Sequence, residues 1–150
     1  MLKSLALAVA AIAVTVSAAD LAGTWKFNAA KSKYTGMAAP KEMTATYTMQ
    51  GSGWNYAAKG VSGTGEPVNS SYSYVKDGEE VKATGFPGWD GIVMKNGGTD
   101  KSTATFMRQG KAVGNGTRTI SADGKMMTLR GNVTLPDGKK ATMLSVYDKQ

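Results

Sequence analysis

The chain of 150 residues contains no cysteine and no histidine. Without cysteine there is no disulfide, no thiolate nucleophile and no thiolate metal site. Without histidine, Ser-His-Asp and Cys-His catalysis, the usual zinc sites and His-ligated haem are excluded as well. Only four prolines interrupt the chain, and no helix-period stretch of ten residues follows the first twenty. Acid groups are also scarce, 11 against 18 lysines and arginines, for a net charge of +7. The basic residues are dispersed, with short clusters at Lys31/Lys33 and Lys139-Lys140. Lysine on turns and edge strands discourages sheet-to-sheet aggregation. A nucleic-acid surface would need a basic stripe interleaved with stacking aromatics, and none is present, so no nucleic-acid partner is expected. Weak contact with an anionic envelope surface is compatible with the charge.

The N-terminus reads as an export signal. Lys3 supplies the positive start, Leu5–Val16 is an uncharged apolar run, and Ser17-Ala18-Ala19 offers the small residues that precede cleavage. The run is shorter than the ~20 apolar residues a spanning helix needs, so no stable membrane insertion is expected. Residues 1–19 are therefore assigned as a signal peptide, and 20–150 as one domain, periplasmic or secreted.

What the rest of the chain has is alternation. Met43, Ala45, Tyr47 and Met49 lie on one face of an extended segment, and Glu42, Thr44, Thr46 and Thr48 on the other. Trp54, Tyr56 and Ala58 oppose Asn55 and Lys59. Tyr72 and Tyr74 oppose Ser71 and Ser73. Ala104 and Phe106 alternate with Thr103 and Thr105, and Met127, Leu129 and Val133 with Thr128, Arg130 and Thr134. This period of two describes antiparallel strands with one buried and one wet face. Asp77-Gly78, Gln109-Gly110, Asp123-Gly124 and Asp137-Gly138 supply the turns between them. Strands are predicted at about 23–28, 42–50, 53–61, 67–76, 79–84, 91–95, 101–108, 111–121, 125–134 and 139–148. Hairpin-sized gaps make sequential strands neighbours, which predicts an all-β fold, a single up-and-down antiparallel barrel of about 8–10 strands. Two gaps are longer. Residues 29–40 have room for a helical turn capped by Asn28, and 85–90 (GFPGWD) form an aromatic-bearing loop.

Gly23-Thr24-Trp25 resembles the Gly-x-Trp of the first strand in lipocalins and their calycin relatives. The string GTWKFNAAKSKY, with GTRTISADGKMMTL near the far end, is similar to a group of small exported bacterial lipocalin-like proteins. The lipocalin cysteines are absent, and no segment matches the family's middle motif. The resemblance implies that Gly23 and Trp25 form a structural motif closing one end of the barrel. It also implies a late-strand cation over the tryptophan, Arg118 in the first instance and Arg130 in the second.

The barrel's inner face then mixes flexible thioethers with flat phenols, which suits an apolar or aromatic small molecule. Met43, Tyr47, Tyr56, Tyr72, Tyr74 and Phe106 are the predicted ligand-binding residues, with Trp54 or Trp89 near the mouth. No cofactor and no metal are expected. Scattered methionines without His or Cys make a poor copper(I) site, and isolated Asp-Gly turns a poor calcium site. A carrier is the leading reading. An envelope interaction or inhibitor module using the basic exterior and GFPGWD is the alternative. A cofactor-free cyclase or isomerase comes last, with no assigned catalytic residue and Asp90 the acid to test first.

Overall fold

The structure, a computed structural model, describes residues 21–95 and 100–150. The expected signal peptide, residues 1–19, lies outside the described residues. Among the described residues there are eleven strands: β1 (Gly23–Phe27), β2 (Lys33–Thr35), β3 (Glu42–Gln50), β4 (Gly53–Val61), β5 (Pro67–Tyr74), β6 (Glu80–Thr84), β7 (Gly91–Lys95), β8 (Lys101–Arg108), β9 (Lys111–Ile120), β10 (Met126–Thr134) and β11 (Lys140–Lys149). From β3 to β11 every strand pairs antiparallel with the next in sequence. β1 pairs with β3 on one side and β11 on the other, so ten strands close into a barrel without a free edge.

The eleventh strand, β2, is an addition that the period-two pattern did not single out. It pairs with the early part of β11 at Thr142, Met143 and Leu144, while β1 takes the late part at Tyr147, Asp148 and Lys149. The turn between them forms as Asn28 suggested. Ala29–Lys31 makes a single 3-10 turn, with the Asn28 side chain accepting from the Lys31 amide at 3.2 Å. Ser32 fastens this crossing to the barrel. Its hydroxyl donates to the Asn28 carbonyl at 2.7 Å and accepts from the Val146 amide at 2.9 Å.

One end of the barrel is closed by buried side chains. Leu21, Trp25 and Met127 have no exposed surface, and Ile120 and Trp54 are buried beside this level. The Trp25 indole donates to the Leu21 carbonyl at 3.0 Å, which fixes the entering chain beneath the barrel. The cation over Trp25 is Lys149, not the expected Arg118. Its ammonium lies 4.8 Å from the ring centre and donates to the Ala22 carbonyl at 2.6 Å. Register explains the exchange, because Lys149 is the β11 partner of Trp25 across the closing seam. Arg118 projects from β9 into the interior, opposite Ser102 and Leu129, and sits over Tyr47 at 5.4 Å. Arg130, the second choice, is exposed. Gly23 has φ +121°, and a Cβ there would stand 3.2 Å from Lys149 Cε. The glycine both takes the turn and leaves room for the lysine that covers the tryptophan.

Candidate functional site

Above the packed end the barrel is hollow. A cavity of about 610 Å³ runs from Arg118 and Ser102 to a mouth formed by Met37, Ala38 and Pro40, by Ser62, Gly63 and Thr64, and by Phe86, Pro87 and Trp89. Its size falls within the ~300–1,000 Å³ of small-molecule sites. Most of its wall is apolar or aromatic, contributed by Met43, Ile92, Met94, Ala104, Leu129 and Met143 together with the rings described below.

The structure brings five of the six predicted ligand residues, Met43, Tyr47, Tyr56, Tyr72 and Phe106, to this cavity. Tyr74 shares their inward direction but not their level. Two residues beyond Tyr72 and paired with Trp54, it is buried towards the packed end and outside the cavity lining. Trp89, not Trp54, reaches the mouth. Asp90 is exposed and outside the lining. Its carboxylate accepts from the Gln109 amide at 3.1 Å, serving the β8–β9 turn, where Gln109 has φ 51°.

The aromatic side chains form a continuous wall. Tyr47 and Tyr56 meet at 5.1 Å between ring centres, Tyr56 and Tyr72 stack at 4.8 Å with 14° between planes, and Phe86 lies 5.9 Å from Tyr56. Phe86 stacks on Trp89 at 3.9 Å, and Trp89 on Phe106 at 4.5 Å. Pairs of this kind add roughly 0.5–1.5 kcal/mol beyond their buried area. The GFPGWD loop that carries Phe86 and Trp89 is pinned by Arg108, whose guanidinium donates to the carbonyls of Gly88 at 2.7 Å and Thr134 at 2.9 Å. The opposite wall leaves room for this. Gly116 and Gly131 face each other on β9 and β10, and a Cβ at Gly116 would meet the Phe106 ring at 2.9 Å.

Polar groups are a minority of the lining: Arg118 and Ser102 lie at the floor, Ser62 and Thr64 at the mouth, and Arg130 and Ser145 also border the space. Arg118 is 4 % exposed and Ser102 is 1 % exposed. Burial, the largest cause in each case, raises the phenol pKa of Tyr47, Tyr72 and Tyr74, and the Arg118 charge opposes it. Tyr47 is also hydrogen-bonded to Tyr72 and Arg118. Burial pushes Tyr56 up as well, helped by Tyr47 and opposed by its bond to Ser70. The cavity phenols are therefore neutral hydrogen-bonding groups at physiological pH. Tyr34, from the unpredicted β2, adds a hydroxyl hydrogen-bonded to Ser145, beside Tyr147. Alternation along residues 33–35 and 143–147 was the available signal for these three, and it was too short or too mixed to stand out.

The fold, a closed antiparallel barrel with one extra strand, is similar to that of solved ligand-binding barrels. A zebrafish ileal bile acid-binding protein complexed with cholic acid superimposes with a TM-score of 0.50 at 12 % identity, covering 86 % of this chain and 98 % of that one. A redesigned β-barrel, mFAP1, bound to DFHBI gives 0.42 at 16 % identity over 86 % and 94 %. The siderocalin Ex-FABP gives 0.39 at 12 % identity over 87 % and 74 %. No protein-family model matches the chain, and no curated protein matches it in sequence.

Proposed function

We propose that this protein binds an apolar or aromatic small molecule inside the barrel and acts as a carrier or sequestering protein. The observation that carries the reading is the cavity of about 610 Å³ walled by stacked aromatic rings, in a barrel whose other end is closed by buried side chains. Filling such a space with an apolar ligand releases poorly accommodated water and restores dispersion contacts to the rings around it. The bile acid-binding neighbour, which holds cholic acid in a barrel of this fold, is compatible with the reading.

Titration with the neutral fluorophore N-phenyl-1-naphthylamine tests it. A saturable rise in fluorescence with one site per chain is expected, with quenching of Trp89. Tyr72→Ala should weaken the binding while the strand signal in circular dichroism stays unchanged. A linear, non-saturating response would contradict the proposal.

Export to the periplasm or beyond belongs to the same proposal and rests on Lys3, the Leu5–Val16 run and Ser17-Ala18-Ala19. The mass of the chain recovered from an exporting host should correspond to a start at Asp20, and recovery of the intact chain from the cytoplasm would contradict it.

A further inference from the structure

The floor of the cavity is polar, and it has a sign. Arg118 and Ser102 face each other across the β8–β9 pairing at the floor, both almost fully buried. The Ser102 hydroxyl has no hydrogen-bond partner among the described residues. Leaving a buried hydroxyl unbonded is costly, so such a group near a cavity marks where a ligand atom completes the set. No carboxylate is among the described residues lining the cavity, whereas two arginines are, Arg118 buried at the floor and Arg130 exposed. A guanidinium is not deprotonated in proteins, so an anion entering this space meets attraction and a cation repulsion.

The wall above the floor has a shape preference. From Tyr47, whose ring lies under Arg118, the rings of Tyr56, Tyr72, Phe86 and Trp89 continue to the mouth. Tyr56 and Tyr72 are within 14° of parallel, as Phe86 and Trp89 are within 19°. Flat faces of this kind favour a flat ligand, which gains contact without giving up the chain freedom that an alkyl tail loses on binding.

We propose that the ligand is a planar aromatic or conjugated acid, with its anionic group at Arg118 and Ser102 and its ring system along Tyr56, Tyr72, Phe86 and Trp89. This assignment rests on the carrier reading above and narrows it to one chemical class. The acidic group is held deep in the barrel, and the rings lie between it and the mouth.

Three probes on the full chain test it: 1-pyrenebutyrate, the neutral 1-pyrenebutanol, and laurate. Pyrenebutyrate should bind at least about tenfold more tightly than the alcohol, the scale of one charge-assisted hydrogen-bonded contact. It should also bind roughly tenfold more tightly than laurate, which has the charge without the rings. Arg118→Gln should abolish the preference for acid over alcohol. Ser102→Ala should reduce the preference by a smaller factor, and it keeps the test open if the arginine variant does not fold. Equal affinity for acid and alcohol in the unaltered chain would overturn the anionic assignment and leave the carrier reading standing. Laurate binding as tightly as pyrenebutyrate would overturn the planar-ring assignment. Absence of saturable binding for all three probes would overturn the carrier reading itself and this assignment with it.

Discussion

The two ends of the barrel are built from the same side-chain types and do opposite things with them. At one end Leu21, Trp25, Ile120 and Met127 fill the interior, and Lys149 lies over the tryptophan from across the seam. At the other, Met43, Tyr56, Tyr72, Trp89 and Phe106 stand around an open volume. Aromatics at the packed end contribute by excluding water, whereas those around the hollow end contact one another along the wall and leave their remaining faces available. The first region carries stability and the second carries binding. A barrel of ten strands is wide enough to need both, since side chains alone do not fill it.

Substitutions at the two ends should therefore separate the two properties. Trp25→Ala should produce the largest loss of stability, about 3–5 kcal/mol in urea unfolding, because a fully buried indole leaves a cavity that its neighbours cannot close. Loss of less than 1 kcal/mol would show that the packed end is not where stability lies.

High pH should affect the hollow end. Tyr56 and Tyr72 have phenols raised above the ordinary value of 10.0 by burial, so their protons leave more readily in the unfolded chain. Stability from this source is fully present below pH 10 and is lost as pH rises above it towards the folded-state values. Unfolding midpoints measured from pH 7 upward should be flat and then fall beyond about pH 10. Tyr56→Phe should make that fall shallower.

A smaller and differently directed effect is expected at Tyr72. Tyr72→Ala should cost roughly 1–2 kcal/mol in probe affinity by fluorescence titration, the worth of a lost ring stack and its contact area. The corresponding change at Trp25 should leave the affinity of whatever protein remains folded near that of the unaltered chain.

Least of all, Lys149→Met should remove about 0.5–1 kcal/mol of stability, through the lost cation–π contact. Combined with Trp25→Ala it should be non-additive, since the two groups touch. Strict additivity, measured by a double-mutant cycle in urea, would contradict the pairing.

Much of the barrel was legible because its information is local. Met43, Ala45 and Tyr47 announce a buried face by period two, and the Asp-Gly turns announce where each strand ends. Met49 shows the limit of the pattern. It continues the alternation of β3 but is 68 % exposed at the strand end, past the point where the barrel covers it. The same limit misplaced Tyr74, because alternation gives the face of a residue and not its depth along the barrel axis. Lys149 over Trp25 depends on a register between the first and last strands, which no local pattern records. Arg118, by contrast, keeps inward phase with Ile120 along β9, and that phase points to the interior floor rather than to the tryptophan. Strand β2 was missed because three residues are too few to display a period.

The central claim is that the upper barrel is a space a ligand enters. Ala104 lines that space between Ser102 and Phe106 on β8, and its small side chain helps to keep it open. Titrating Ala104→Trp with N-phenyl-1-naphthylamine, alongside a thermal melt, tests the claim most directly. The added indole should project into the cavity and obstruct it, abolish or strongly weaken saturable binding and leave the thermal midpoint unchanged or higher. Undiminished binding, or a chain that no longer folds because the indole found no space, would contradict the account.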